Sequence, residues 1–141
     1  MSGNVRNVIV EDIHIEGCES GLYIKSMMGR GGVVEDVHFR NIYINRTQQA
    51  IRLTMNYKYR RNLASSMEDG DEEIPHFRNI FVSNVIGENV SEAGVFTGLN
   101  TSTIENVHLS NINISSQLGF KCEFVTGTAR DVTPSAEHCF Y

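Results

Sequence analysis

The sequence predicts an all-β fold, a parallel β-helix of about four to five stacked rungs, and two observations support this prediction. A motif of eleven residues with alternating apolar positions occurs four times, and a degenerate fifth start follows. Within each copy the alternation slips by one position at an Asn or Asp. The copies begin at Val5, Val34, Phe77 and Ile104, and the degenerate start is at Ala129.

The spacing of the copies is typical of solenoid repeats. The equivalent apolar residues Val8, Val37, Ile80, Val107 and Val132 lie 29, 43, 27 and 25 residues apart. Solenoid repeats have periods of about 20–50 residues, and insertions within a repeat form surface loops. The longest interval contains a charged stretch at about 58–74. We therefore expect one β-helix domain over residues 1–141, with this stretch as an inserted surface loop.

The residue at which the alternation slips is expected to bend the strand. It is Asp12, Asn41, Asn84 or Asn111 in the four copies. Asn and Asp enter the left-handed αL conformation more readily than other residues with a β-carbon. A strand bent there keeps its apolar side chains on the core side before and after the bend, and a period of two excludes an α-solenoid. Stacked Asn and Asp side chains are expected to form a hydrogen-bonded ladder.

A further short strand follows each copy and completes the rung. One row of its side chains is expected to point into the core: Leu22, Ile24, Ile51, Leu53, Val95 and Phe120. A second row is expected to point outwards and to stack from rung to rung: Tyr23, Arg52, Phe96 and Lys121. Three short strands in each rung of about 25 residues describe a parallel β-helix, whose rungs bury a core only by stacking.

Composition and charge exclude several classes of function. The chain has 12 basic and 17 acidic residues, and a net charge of -5 argues against a nucleic-acid or anionic-membrane surface. It has no run of about 18 apolar residues, so no membrane span is expected. Its first residues lack the features of a secretory signal. The cysteines Cys18, Cys122 and Cys139 match neither a CxxC metal site nor a redox motif, so we expect no metal and no cofactor.

Four segments resemble the polygalacturonase family of glycoside hydrolases, glycoside hydrolase family 28. Residues 21–26, Gly-Leu-Tyr-Ile-Lys-Ser, are similar to the family's Arg-Ile-Lys motif, and residues 29–34 to its Gly-Arg-Gly-Gly turn. Residues 50–57 end in Asn-Tyr, like the family's strand beside the substrate groove, and residues 119–139 are similar to its C-terminal rung. The resemblance implies a secreted, right-handed parallel β-helix that hydrolyses pectin, with this chain as the C-terminal portion.

The resemblance also implies the substrate-binding residues. Lys25 corresponds to the lysine of the family's motif, and Tyr57 to the tyrosine that borders the groove; the alternatives are a solvated lysine on an outward strand face and a packing tyrosine at the mouth of the loop. Tyr23 stands where the family has arginine, and Arg52, one rung on in the same outward column, is a candidate to supply the lost charge. Arg30 is either a further contact or part of a glycine turn. The expected partner is a pectic polysaccharide or oligogalacturonate, bound by a monomer.

No catalytic residue is predicted in this chain. Glycoside hydrolysis uses two carboxyl groups that flank the scissile bond, and the family resembles the inverting type. The family's Asn-Thr-Asp, Asp-Asp and Gly-His-Gly motifs do not occur in the sequence, so its catalytic rungs are expected upstream of residue 1. The local acidic pairs are Glu11-Asp12, Glu35-Asp36 and Glu72-Glu73, and none is expected to be held for catalysis. The chain is therefore the substrate-binding part of a hydrolase, a non-catalytic glycan-binding or adhesion module, or a structural remnant.

Cysteines and sequons bear on the compartment. Cys122 and Cys139 are expected to pair, like the family's closing cysteines, and to stabilise the last rung by about 3 kcal/mol. Cys18 would be free or paired outside this chain. Sequons begin at Asn45, Asn89, Asn100 and Asn113, and together with the disulfide they favour a secreted, extracellular protein. Three histidines at outward repeat positions are expected to be surface residues: His14, His38 and His108.

Overall fold

The computed structural model describes residues 3–57 and 73–140, and there the chain forms a parallel β-helix, as predicted. Its strands are β1 (Val5–Glu16), β2 (Ser20–Lys25), β3 (Val33–Thr54), β4 (His76–Thr97), β5 (Ile104–Glu123) and β6 (Val125–Thr133), followed by a 3₁₀ turn at Glu137–Cys139. All pairings between these strands are parallel, in the order β1-β3-β4-β5-β6, and β2 also pairs with β3. Most of the predicted charged loop, residues 58–72, lies outside the described residues. Within the described parts of the chain, no helix is long and apolar enough to cross a membrane.

The long strands bend at residues in the αL conformation. The four predicted bends are confirmed: φ is 58° at Asp12, 57° at Asn41, 56° at Asn84 and 51° at Asn111. A second column of bends, five positions earlier, was not predicted: Asn7, Asp36, Asn79 and Asn106. A third bend, five positions later, occurs at Arg46 in β3 and at Asn89 in β4. One long strand such as β3 therefore makes most of a rung by itself.

Side-chain amides tie the bends of neighbouring rungs together. In the predicted column each amide Nδ2 donates to an Oδ1 one rung earlier: Asn41 to Asp12 (3.2 Å), Asn84 to Asn41 (3.2 Å) and Asn111 to Asn84 (2.7 Å). The earlier column is linked in the same way, from Asn106 through Asn79 to Asp36, at 3.2 Å in each bond. The predicted ladder is thus confirmed, and a second one accompanies it. Because each bond joins equivalent bends, the ladders fix the register between rungs.

The core runs along the stack, and its two ends differ. At the end formed by β6, the core is covered by the following segment, where Ala136 is fully buried and the ring of Phe140 stacks at 6.4 Å from that of Phe96. At the end formed by β1, Ile13 is 41% exposed, whereas Ile42, its partner in β3, is only 3% exposed. The β1 end of the core is therefore uncovered within the described residues.

The predicted inward and outward rows are wrong in β4. The register pairs Gly94 with Ile51 and with Phe120, so Gly94 occupies the inward position that was expected for Val95. Val95 instead lies in the outward row, and Phe96 is completely buried. The cause is space, because a β-carbon at Gly94 would lie 2.6 Å from Cδ1 of Phe120. Only the absence of a side chain at this inward position lets the two rungs stack.

The C-terminal rung contains a disulfide between Cys122 and Cys139, whose Cα atoms are 5.5 Å apart. His138 lies beside the two sulfurs, close enough for a three-ligand cluster. Metal binding by cysteine needs a thiolate, which neither sulfur of a disulfide offers. Cys18 has an exposed free thiol.

The outward histidines take part in ring contacts on the surface. His38 and His108 stack on the two faces of Phe81, with centroid distances of 4.5 Å and 5.0 Å. His14 is exposed and meets the ring of Tyr43 edge-on at 4.7 Å. These contacts place the three histidines in inter-rung stacks on the outer surface.

Candidate functional site

The candidate site is built on β2 and the adjoining part of β3. Tyr23 and Lys25 are two positions apart on β2, so their side chains share one face of the sheet. Tyr23 pairs with Arg52 on β3, and the Cζ atom of Arg52 lies 4.9 Å from the centroid of the Tyr23 ring. The outward column predicted for Tyr23 and Arg52 is therefore present.

Lys25 links this pair to a second aromatic ring. Its Nζ lies 4.4 Å from the centroid of the Tyr57 ring and 5.7 Å from that of Tyr23. The segment after β3 is held in place because the backbone N–H of Tyr57 donates to the carbonyl of Ser26 at 3.0 Å. Arg52, Tyr23, Lys25 and Tyr57 thus form a continuous series in which cations and rings alternate. We call these four residues the cation–aromatic row.

A cleft of about 320 Å³ opens beside one end of the row. Lys25 and Tyr57 line it together with Arg30, and its apolar part includes Val34 and Phe77. Arg30 is exposed and sits in a turn whose glycines have positive φ: 93° at Gly29, 65° at Gly31 and 82° at Gly32. Arg30 is therefore both part of a glycine turn and a lining residue of the cleft.

Arg52 carries an unusual polar feature. Its side chain is half-buried, and its Nε is a buried donor that has no hydrogen-bond partner among the described residues. Leaving a buried donor unpaired costs about 1–3 kcal/mol. The guanidinium also has terminal N–H groups, to which an acceptor can bind. Carboxylates suit it best, because they accept two parallel hydrogen bonds from arginine.

Two of the three acidic pairs of the sequence are engaged in bonds between rungs. Glu11 pairs with Arg40 at 2.7 Å, and Glu35 lies between Arg6 (2.6 Å) and Arg78 (2.8 Å). The hydrogen bond from Arg78 is the largest of the effects that lower the pKa of Glu35. The second members of these pairs accept ladder amides: Asp12 and Asp36. Of the third pair, Glu72 lies outside the described residues and Glu73 is exposed.

The structure thus brings the four predicted binding residues into one row, and their role in binding stays a prediction. Sequence reasoning missed the apolar side of the cleft, which Val34 and Phe77 supply. A signal for it exists, because both residues open a copy of the repeat. Paired residues at the start of β3 and β4 necessarily meet at one edge of the stack.

Comparison with known proteins decides the family. The model of glycosyl hydrolases family 28 matches residues 1–136. The chain belongs to glycosyl hydrolases family 28. A probable polygalacturonase of Vitis vinifera is 30% identical over 140 residues, which are 96% of this chain and 28% of that protein. The exopolygalacturonase rpg16 of Rhizopus delemar is 29% identical over 105 residues, covering 70% of this chain and 26% of that enzyme.

A further relative agrees with these two. The exopolygalacturonase rpg13 of Rhizopus delemar is 24% identical over 100 residues, covering 71% of this chain and 27% of that enzyme. The family 28 chain described here thus spans about a quarter of the length of the curated relatives it matches. Its β-helix and its cation–aromatic row are features of this portion.

Proposed function

We propose that this chain is the C-terminal, substrate-binding portion of a secreted polygalacturonase-type hydrolase that acts on galacturonate-containing pectic polysaccharide. The observation that supports it most directly is the cation–aromatic row. Lys25 occupies the position that resembles the lysine of the family's motif, and it contacts Tyr57, the residue that resembles the groove tyrosine. Arg52 lies on the ring that replaces the family's arginine.

The row suits a polymer of uronate sugars on electrostatic grounds. Each galacturonate carries a carboxylate, and the row offers two cations separated by the ring of Tyr23. Contacts between a cation and an aromatic ring contribute about 0.5–1 kcal/mol at exposed sites, which favours one orientation of these flexible side chains over others. A preorganised cation binds its anion with less loss of conformational entropy. Free carboxylates should therefore bind better than methyl esters.

Hydrolysis is proposed to depend on carboxylates from outside these 141 residues. An inverting glycosidase holds its two carboxyl groups about 6.5–9.5 Å apart, so that a water fits between one of them and the sugar. Glu11 and Glu35 instead hold arginines of neighbouring rungs, and Asp12 and Asp36 hold ladder amides. Acidic groups that are engaged in this way do not activate a water. We expect the isolated chain to bind pectic oligomers without cleaving them.

Calorimetric titration of the 141-residue chain with an oligogalacturonate tests the proposal. Lys25→Ala removes a charge-assisted hydrogen bond worth about 1.5–3 kcal/mol, so affinity should fall at least tenfold. Lys121→Ala is the matched control, because Lys121 is an exposed lysine in the column of Tyr23 and Arg52, two rungs beyond Arg52. Its removal should change affinity less than twofold. Equal affinities for wild type and Lys25→Ala, or no binding by either, would refute the proposal.

A non-catalytic glycan-binding or adhesion module is the second candidate. It is favoured by the commitment of the described acidic pairs to bonds between rungs. The two candidates differ in what the protein purified from its natural source does to polygalacturonate. Release of reducing ends supports the hydrolase, whereas retention of the polymer without such release supports the binding module.

A further inference from the structure

The four sequons fall into two structural classes, and the first class is engaged in bonds between rungs. Nδ2 of Asn45 donates to Oε2 of Glu16 at 3.0 Å, and Oδ1 of Asn45 accepts from Nδ2 of Asn89 at 3.0 Å. Both amide nitrogens of this class therefore point at a partner inside a chain of hydrogen bonds.

The second class is open. Asn100 is exposed at the tip of a tight turn, where Leu99 and Ser102 exchange two backbone hydrogen bonds of 3.0 Å. Asn113 is exposed on the outward face of β5. Within the described residues, neither side-chain amide takes part in a hydrogen bond. Their nitrogens are free to carry a substituent.

We propose that Asn100 and Asn113 each carry an N-linked glycan and that Asn45 and Asn89 stay unmodified. This inference rests on the secretion that is part of the proposed function. The co-reactant is a lipid diphosphate-linked oligosaccharide. Nδ2 of the asparagine forms a bond to C1 of the first sugar and loses one proton, while the C1–O bond breaks and the lipid diphosphate leaves with the bonding electrons. The modified nitrogen then needs open space beyond it, which Asn100 and Asn113 provide.

The surroundings of Asn113 give its glycan a place to lie. A groove of about 620 Å³ runs along the bends, between the ladder amides and the outward side chains of the next strand segment. In that outward column Tyr43 pairs with Ile86 and Ile86 with Asn113. Ile86 is 55% exposed, so the first sugars on Asn113 would cover an apolar side chain that water otherwise contacts. This groove shares no residue with the cleft at the cation–aromatic row.

Secretion of the 141-residue chain behind a signal peptide, in a yeast or insect line, tests the proposal. Wild type is compared with four variants: Asn100→Gln, Asn113→Gln, Asn45→Gln and Asn89→Gln. Sites are read by peptide mass spectrometry after N-glycosidase F treatment in ¹⁸O-labelled water. We expect label at Asn100 and Asn113, and a loss of one glycan's gel shift in each of the first two variants and in neither of the others.

Other outcomes overturn the proposal in defined ways. Label at Asn45 or Asn89 contradicts the structural sorting, and label at only one of Asn100 and Asn113 overturns the assignment of the other. Absence of label from all four overturns the inference entirely. Oligogalacturonate binding is measured on the same samples. A chain that binds without glycans defeats this inference alone, and a glycosylated chain that does not bind defeats only the binding proposal.

Discussion

Gly94→Ala is the substitution whose effect follows most directly from the structure. The added β-carbon would lie 2.6 Å from Cδ1 and 2.7 Å from Cε1 of Phe120, and 3.2 Å from the carbonyl oxygen of Ile51. Carbon atoms in contact prefer separations of about 3.5–4.0 Å, so the ring would have to move by about 1 Å. That ring is 95% buried and packs at 5.8 Å from the ring of Phe96.

The expected magnitude combines two opposing effects. Inserting a methyl group into a packed core costs about 1–3 kcal/mol. Replacing glycine by alanine also reduces the conformational entropy of the unfolded chain. This stabilises the folded state by about 0.4–1 kcal/mol where the backbone conformation suits alanine. Gly94 does not have a positive φ, so the second effect applies. We therefore expect Gly94→Ala to lower the free energy of unfolding by about 0–2.6 kcal/mol, with a midpoint of about 1.3 kcal/mol, measured by urea denaturation.

Gly119→Ala is the matched control. Its β-carbon would have its nearest neighbour at 3.8 Å, an ordinary contact with Pro134, and its φ is not positive. This variant should keep or slightly raise the stability of the wild type. If the two variants denature at the same urea concentration, lack of space is not the reason why Gly94, and not Val95, occupies the inward position in β4. Adding Phe120→Leu to Gly94→Ala should recover part of the loss, because the smaller side chain makes room.

Three further predictions concern the bonds between rungs and the closing disulfide. Replacing Cys122 and Cys139 by Ser should lower the free energy of unfolding by about 3 kcal/mol, since the bridge spans 17 residues; equal urea midpoints would contradict this. The hydrogen bond from Arg78 lowers the pKa of Glu35, so the ionised carboxylate of Glu35 stabilises the folded state. This stabilisation is fully present above the pKa of the carboxyl in the unfolded chain and is lost as the pH falls through its lower pKa in the folded protein. Glu35→Gln should therefore lose less stability than wild type between neutral and acidic pH, and parallel stability curves would exclude this role. Asn84→Gly and Asn84→Ala both remove two ladder bonds, but alanine must also adopt φ near 56°. The alanine variant should therefore be about 1 kcal/mol less stable than the glycine variant. Identical melting temperatures of the two variants would show that the bend is unstrained.

Much of the fold could be predicted because its signals are local. A bend needs one residue that tolerates the αL conformation. Asn41 and its equivalents are such residues, so the bends can be recognised in the sequence. The bends at Asp36 and Asn79 carry the same signal five positions earlier, so a search for Asn or Asp at a spacing of five would have found them. Arg46 and Phe124 also have positive φ but carry no such signal, because arginine and phenylalanine are not residue types that favour the αL conformation.

Which residues of β4 point into the core could not be predicted, and the reason is different. Gly94-Val95 follows the pattern of Ala50-Ile51 in sequence, and nothing local shows that the glycine itself is the inward residue. That assignment depends on the ring of Phe120, which is 26 residues away in sequence and one rung away in space. Packing between rungs cannot be predicted from the sequence of a single rung.

The candidate site shows the same division. Lys25 and Arg52 could be placed on one outward face by counting positions along their strands. The stacking of Arg52 on Tyr23 was also expected from that outward column, whereas the contacts of Lys25 with the rings of Tyr23 and Tyr57 could not be predicted, because they depend on rotamers and on the path of the segment after β3. That path is fixed by the backbone hydrogen bond from Tyr57 to Ser26, which leaves no trace in the residue types.

The two ends of the described stack differ in how well they are covered, and so the rungs of the isolated chain should differ in stability. Within the described residues of the isolated 141-residue chain, β3 and β4 have a rung on each side, whereas β1 has one on a single side and has no cover like the one that Ala136 and Phe140 form at the other end. In a stack where each rung is stabilised only by its neighbours, opening starts at the rung with the fewest of them and spreads inwards. The cation–aromatic row spans that boundary, with Tyr23 and Lys25 on the less protected strand and Arg52 on the better protected one. In the isolated 141-residue chain, affinity for a ligand that bridges β2 and β3 should therefore depend on the stability of the first rung.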